Sequence, residues 1–149
     1  MINTSPYVFR WLESDQDIAS AFDLMYELRS ELTRASFVST VRAIESINGY
    51  RLVGGFESAK LISLAGVHNN HGLSRGSHLR VDDLVVTKAR RGGGAGRAIL
   101  QFLAGEAKRL GIPALLLDAR HEAKPFYSKL GFEYRHSTPC AVLVDQLLE

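Results

Sequence analysis

Apolar residues recur along this chain at two spacings, close to two and close to 3.6, and the spacing changes at turn-forming residues. The alternation in YVFRWL predicts a strand over 7–12. Ser14-Asp15-Gln16-Asp17 has the form of a capping box closed by Asp. Ile18, Ala21, Phe22, Met25 and Leu32 follow at helical spacing, which predicts one helix over 15–32. Phe37, Val41 and Ile44 predict a second helix, stopped by Asn48-Gly49. Two apolar runs, 50–56 and 61–67, flank a four-residue polar stretch and read as an antiparallel hairpin. The polar, Gly-containing stretch 68–76 reads as a loop.

The next strand, 79–87, breaks its own alternation. Leu79 and Val81 share one parity, and Leu84 and Val86 share the other. Two readings are open: a β-bulge near Asp82-Asp83 that adds one residue, or a strand buried on both faces. A Gly-rich loop follows, then a helix with Ile99, Phe102, Leu103 and Leu110 as its stripe, ended by Gly111. The run 114–117 reads as a buried strand, 122–130 as a short helix ended by Gly131, and 132–135 and 141–147 as closing strands. The order β-α-α-β-β-β-α-β-α-β-β describes an α/β chain with a mixed, mostly antiparallel sheet and flanking helices. No repeat or linker divides residues 1–149, so a single domain is expected.

The loop carries the chemistry. Residues 85–100 read VVTKARRGGGAGRAIL: a strand, a basic turn, five small residues and a helix. Glycines let backbone approach a ligand, and the first amides of a helix are unpaired and partly positive, an arrangement suited to phosphate. Lys88, Arg90, Arg91 and Arg97 add cations. A P-loop needs Gly-Lys-Ser/Thr, and Gly96-Arg97-Ala98 does not supply it. A dinucleotide fingerprint fails at its last position in both registers, although Asp118 stands at a suitable distance for a ribose acid. These mismatches count against a nucleotide-dependent oxidoreductase.

Arg91-Gly92-Gly93-Gly94-Ala95-Gly96 fits Arg/Gln-x-x-Gly-x-Gly/Ala, and Ala123 to Phe132 (AKPFYSKLGF) sets a Tyr in a helix ending in Gly-Phe. The pair, in this order and separation, resembles the GNAT superfamily of N-acetyltransferases. The resemblance spans essentially the whole chain and implies the GNAT-like acyl-CoA N-acyltransferase fold. It implies acetyl-CoA as co-substrate, no metal, and a small amine or a protein amine as acceptor. By the resemblance, Leu84, Val85 and Val86 border a splayed strand where the pantetheine arm lies. Gly92, Gly93, Gly94, Ala95, Gly96 and Arg97 form the pyrophosphate loop led by Arg91, and Tyr127 stands near the cofactor sulfur as general acid. Arg120 replaces the family's usual Asn, so that contact would pass to an Arg able to reach a phosphate. Leu115 stands where some relatives carry a catalytic Glu. A homodimer is common among such relatives. A CoA-binding sensor of the same fold is the alternative reading.

With that Glu absent, Asp82 and Asp83 become the candidate base, Asp83 first because it borders Leu84, acting directly or through water. His68, His71 and His78 fit no metal-ligand spacing and read as solvated, and His121 and His136 as surface residues. Cys140, the single cysteine, reads as core, with no internal disulfide and a reducing, cytoplasmic setting. The net charge of +2 is too small to argue for nucleic acid, and no apolar run approaches the ~20 residues of a membrane span. The opening MINTSPYVFRWLESD shows no basic stretch followed by an apolar one, so no secretory signal is expected.

Overall fold

The computed structural model describes residues 5–149; the first four residues of the leader reading lie outside them. The described chain divides into two compact units, one ending at Asp118 and one spanning Ala119–Glu149.

The first unit is a five-stranded sheet in the order β1-β2-β3-β4-β5, with helices on both faces. Strands β1 (Tyr7–Leu12), β2 (Arg51–Glu57), β3 (Lys60–Gly72) and β4 (Gly76–Val86) are antiparallel in succession, and β5 (Leu115–Leu116) runs parallel to β4. Helices α1 (Asp15–Ser20), α2 (Phe22–Leu28) and α3 (Arg34–Asn48) bury Ile18, Phe22, Met25, Phe37 and Val41 against Leu12, Tyr50, Leu52, Leu64 and Val85. On the opposite face α4 (Ala95–Arg109) packs Ile99, Leu103 and Ala107 against Val53, Ala65, Val67, Leu79 and Val81. Alternation along β2 and β3 sorts each strand's apolar residues between these two cores.

The capping box forms only by half. Ser14 Oγ accepts from the Asp17 amide, while the Asp17 carboxylate is taken by Arg10. The single helix expected over 15–32 is two helices ending at Leu28. The break is at Ala21, whose amide bonds back three residues to Ile18 and whose side chain is fully buried. That tight step rotates the second segment so that Phe22, Leu24 and Met25 all face the core.

The loop expected at 68–76 is mostly strand. Beyond Val67, the residue paired with Arg51 at the start of β2, strand β3 keeps only β4 as neighbour. Residues 70–72 and 76–78 form a two-stranded ribbon, while Leu79 and Arg80 pair with β5 as well as with β3. A ribbon without a third strand has little to bury, so its residues are polar and look like a loop in sequence.

The parity break in β4 is a bulge, and both faces are also buried. Gly66 pairs with Asp83 and Val67 with Val81, so Asp82 is the extra residue. Leu84 therefore joins Leu79 and Val81 in the α4 core, while Val85 enters the other.

The second unit contains α5 (Lys124–Lys129) and α6 (Val144–Leu147). The closing strands expected at 132–135 and 141–147 are absent among the described residues. Irregular chain and one turn of helix stand there, with Val142, Leu143, Val144 and Leu147 exposed. Cys140, expected in the core, is exposed. Phe126 is also more exposed than expected, and Tyr127 is the buried ring of α5. No helix among the described residues is long and apolar enough to cross a membrane.

Candidate active site

The bulge decides what β4 can do. Its parallel partner pairs only at Leu79–Leu115 and Arg80–Leu116, before the extra residue. From Val81 to Val86 the strand pairs only with β3 among the described residues. The Thr87 amide donates to Ile62 of β3. Alternation along an antiparallel strand then sends the amides of Leu84 and Val86 to the open side, and that of Val85 to β3. Val86 also presents its carbonyl on that side, where Arg91 Nε donates to it at 3.1 Å.

This open edge runs into the Gly-rich loop. Gly94, with φ of 90°, is the N-cap of α4 and offers no side-chain cap. The first helical hydrogen bond there is from Ala98 N to Gly94 O. The amides of Ala95, Gly96 and Arg97 are therefore left for an anion. Lys88, Arg90, Arg91 and Arg97 are exposed around them. Arg90 is partly neutralised by Glu57 at 2.5 Å.

Residues from elsewhere in the unit hold this loop, and the sequence reading passed over them. Tyr7 Oη donates to the Gly93 carbonyl. Glu27, on α2, accepts from Thr87 Oγ1 at 3.0 Å and from the Lys88 amide at 3.2 Å. Glu27→Ala removes both bonds. Each is worth about 0.5–1.5 kcal/mol net, so the variant should lose about 1–3 kcal/mol of stability, a fall of roughly 2–12 °C in the midpoint of thermal unfolding for a chain of this size. A thermal-unfolding scan measures this directly.

Around the bulge stand several charged and polar groups. Asp83 accepts from Arg29 Nε at 2.9 Å on one oxygen and from Tyr50 Oη at 2.6 Å on the other. Arg29 also donates to the Asp82 carbonyl. The Tyr50 hydroxyl reaches Asp83 because residue 66 is glycine; a Cβ there would lie 1.8 Å from Tyr50 Oη. Burial first, and the Asp83 charge second, push the Tyr50 phenol far above its ordinary range, so it remains a donor. Asp82 lies 2.6 Å from His68 Nδ1 and 3.5 Å from Arg80 Nε, and Arg80 in turn holds Asp118 at 2.6 Å.

The structure thus brings Asp83, Leu84–Val86 and Arg91–Arg97 together in one unit. Tyr127 and Arg120 belong to the other. Within that unit Tyr127 is buried, with its ring against Phe126 and Phe132 at 5.0 and 5.3 Å between centroids. Burial raises the phenol above its ordinary value. Arg120 is exposed. Asp83 was expected as a carboxylate ready to take a proton; both its oxygens already accept hydrogen bonds. His68 and His78, expected in solvent, are half-buried and buried respectively, whereas His71, His121 and His136 are exposed. No group of three metal-ligating side chains occurs among the described residues.

The arrangement is an open strand edge that ends in a helix terminus with unpaired amides and cations around it. The acetyltransferase (GNAT) domain family matches the chain over residues 21–141, across both units. The chain belongs to the GNAT family. It is an acetyl-CoA-dependent N-acetyltransferase, moving an acetyl group to an amine. It is 29% identical over 125 residues to the uncharacterized N-acetyltransferase YhdJ of Bacillus subtilis, covering 81% of this chain and 88% of that protein. Solved structures of this family share its fold. One is glucosamine-6-phosphate N-acetyltransferase from Arabidopsis thaliana, with TM-score 0.72, 24% identity, and 93% and 99% of the two chains covered. Another is a predicted acetyltransferase from Clostridium acetobutylicum solved with acetyl-CoA, with TM-score 0.73, 17% identity, and 93% and 97% covered.

Proposed function

We propose that this GNAT enzyme acts as one domain and transfers acetyl directly to a primary amine, with both substrates bound at once. The observation that carries the reading is the strand edge freed past Asp82, continuous with the unpaired amides of α4. The pyrophosphate of CoA would rest on Gly92–Arg97 under Arg91, with the pantetheine arm along Leu84, Val85 and Val86. Arg120 would supply a phosphate contact in place of the family's Asn. An outward amide, from Leu84 or Val86, would polarise the thioester carbonyl and bind the oxyanion. Holding thioester and amine side by side removes the entropy of a bimolecular encounter.

The acceptor arrives as an ammonium. Asp82, Asp83 and Asp118 pair with two guanidinium groups, Arg29 and Arg80, and Asp82 also lies against His68. The surplus carboxylate favours a cationic acceptor. Asp83, fixed by Arg29 and Tyr50, would serve as the anion that draws the amine toward the thioester. The amine nitrogen attacks the carbonyl carbon, the C–S bond breaks, and the sulfur takes a proton from Tyr127. A panel of amines with acetyl-CoA, read as free thiol, tests the reaction: glucosamine 6-phosphate, spermidine, an aminoglycoside, and peptides with a free α- or ε-amine. At least one class should be turned over, with intersecting initial-velocity lines. Parallel lines would replace direct transfer by a covalent intermediate.

Tyr127→Phe isolates the proposed acid. The hydroxyl makes no hydrogen bond among the described residues, and phenylalanine keeps both ring contacts. A general acid contributes on the order of 10²–10⁴-fold, and a thiolate from a thiol of pKa roughly 8.5 needs the lower end. kcat should therefore fall on the order of 10²-fold with the acetyl-CoA dissociation constant unchanged. Because the phenol is raised, wild-type kcat should show no alkaline loss from this group up to its ordinary value of about 10. Wild-type kcat in the variant, with chemistry rate-limiting, would return Tyr127 to a packing role.

A further inference from the structure

The ammonium must lose a proton before it can attack, and Asp83 already accepts on both oxygens, from Arg29 and Tyr50. Its neighbour backs a different group. His68 pairs with Arg80 between β3 and β4, two residues beyond Gly66 on β3. Alternation places it on the face that carries Leu64, Tyr50 and Asp83. Its Nδ1 is 2.6 Å from Asp82 Oδ2, and the side chain is only 14% exposed. An ionised carboxylate can only accept, so Nδ1 carries the hydrogen, and in the neutral imidazole Nε2 then holds the lone pair. Nε2 has no hydrogen-bond partner among the described residues. No buried side-chain nitrogen or oxygen there lacks one, so Nε2 reaches solvent. Asp82 is itself anchored through Arg80 to Asp118. An imidazole oriented by a carboxylate at one nitrogen and open at the other is built to accept a proton.

We infer that His68 is the catalytic base of this enzyme and Asp82 its positioning residue. His68 Nε2 takes the proton of the bound ammonium. The freed nitrogen lone pair forms the amide bond while the C–S electron pair leaves with sulfur, and the imidazolium then returns its proton to water. The inference rests on the direct-transfer reading above. The charged and titratable groups around this imidazole are Asp82 in contact with it, Arg80 paired with it across β3 and β4, Asp118 behind Arg80, and, on the same sheet face, Asp83 with its partners Arg29 and Tyr50. His78, on β4, bonds the Gly76 carbonyl through Nδ1.

Two measurements test it. The first is a two-bond ¹H–¹⁵N spectrum of the CoA-bound enzyme near pH 8. His68 should show the Nδ1–H tautomer, and Asp82→Asn should redistribute it; an Nε2–H tautomer in the wild type overturns the inference. The second follows thiol release with the best acceptor of the amine panel, for wild type, His68→Gln and Asp82→Asn. His68→Gln should lower kcat on the order of 10²–10⁴-fold near pH 7. The deficit should shrink as pH approaches the amine's own pKa, roughly 10.4 for a lysine-like acceptor, where free amine no longer needs the base. Asp82→Asn should give a smaller loss with the same pH trend, and acetyl-CoA affinity should not move in either variant. Wild-type turnover by His68→Gln, or a loss equal at every pH, overturns this inference and leaves the transfer reading standing. A wild-type enzyme that binds CoA yet acetylates no amine of the panel fails that reading, and this inference with it.

Discussion

Gly94→Asp should leave the protein folded and weaken CoA binding on the order of 10²–10³-fold. The position has φ of 90°, which strains most side chains, but Asp is among the residues that tolerate this region. A Cβ there meets nothing within 4 Å, and Asp is also a favoured helix N-cap. What changes is charge. A carboxylate would stand among the amides of Ala95, Gly96 and Arg97, where the pyrophosphate is proposed to rest. Two unit charges about 4 Å apart repel by ~4 kcal/mol at an effective dielectric near 20. A loss on the order of 10²–10³-fold in affinity is therefore expected. Gly94→Asn has nearly the same shape without the charge and should lose less than about 10-fold. Thermal-shift or calorimetric titration with CoA compares the two. A folded Gly94→Asp variant with wild-type affinity would take the pyrophosphate away from this helix end.

The second large effect is on stability. In Gly66→Ala the new methyl would sit 1.8 Å from Tyr50 Oη and 2.3 Å from Cζ, and Tyr50 is only 5% exposed. The ring must move within a packed core, which costs about 1–3 kcal/mol. The move also breaks the Tyr50–Asp83 hydrogen bond, worth about 1.5–3 kcal/mol because the acceptor is charged. The midpoint of thermal unfolding should fall on the order of 10 °C for a chain of this size. Tyr50→Phe keeps the ring that clashes and should not rescue. Tyr50→Leu removes it, so adding Gly66→Ala to that background should cost little more. Equal costs of Gly66→Ala in both backgrounds would show that the clash is not the cause.

Much of the path from sequence to site was legible because it is local. The parity of Leu79, Val81, Leu84 and Val86 gave the bulge as one of two readings, and the glycines before α4 marked the turn into the helix whose first amides are unpaired, each within about ten residues. The Tyr in its helix ending in Gly-Phe could be found as a motif, and Tyr127 is the buried ring of that helix. What stayed hidden depends on pairing between distant segments. Arg29 and Asp83 are 54 residues apart, Tyr50 and Asp83 33, and Glu27 and Lys88 61, and none of these partners shares a periodicity with the other. His68 was hidden for a different reason. Beyond Val67 β3 has no β2 partner, so the polar residues at its end imitated a loop. One available signal was symmetry: two polar stretches of similar length flank the short Leu73-Ser74-Arg75 segment, as the arms of a hairpin do. The closing strands failed in the opposite direction, since apolar residues at 141–147 satisfied a pattern that the chain does not use there.

The extra residue in β4 has a consequence for how this protein tolerates change. Substituting Asp82 alters one side chain, whereas deleting it alters a count. With one residue fewer, the ladder between Gly66 and Val67 would run without a step, and either Leu79 and Val81 or Leu84 and Val85 would exchange cores. The strand works like a reading frame. Its chemistry is encoded in the number of peptide units before the loop as much as in their identities, so homologous changes here should conserve length more strictly than sequence.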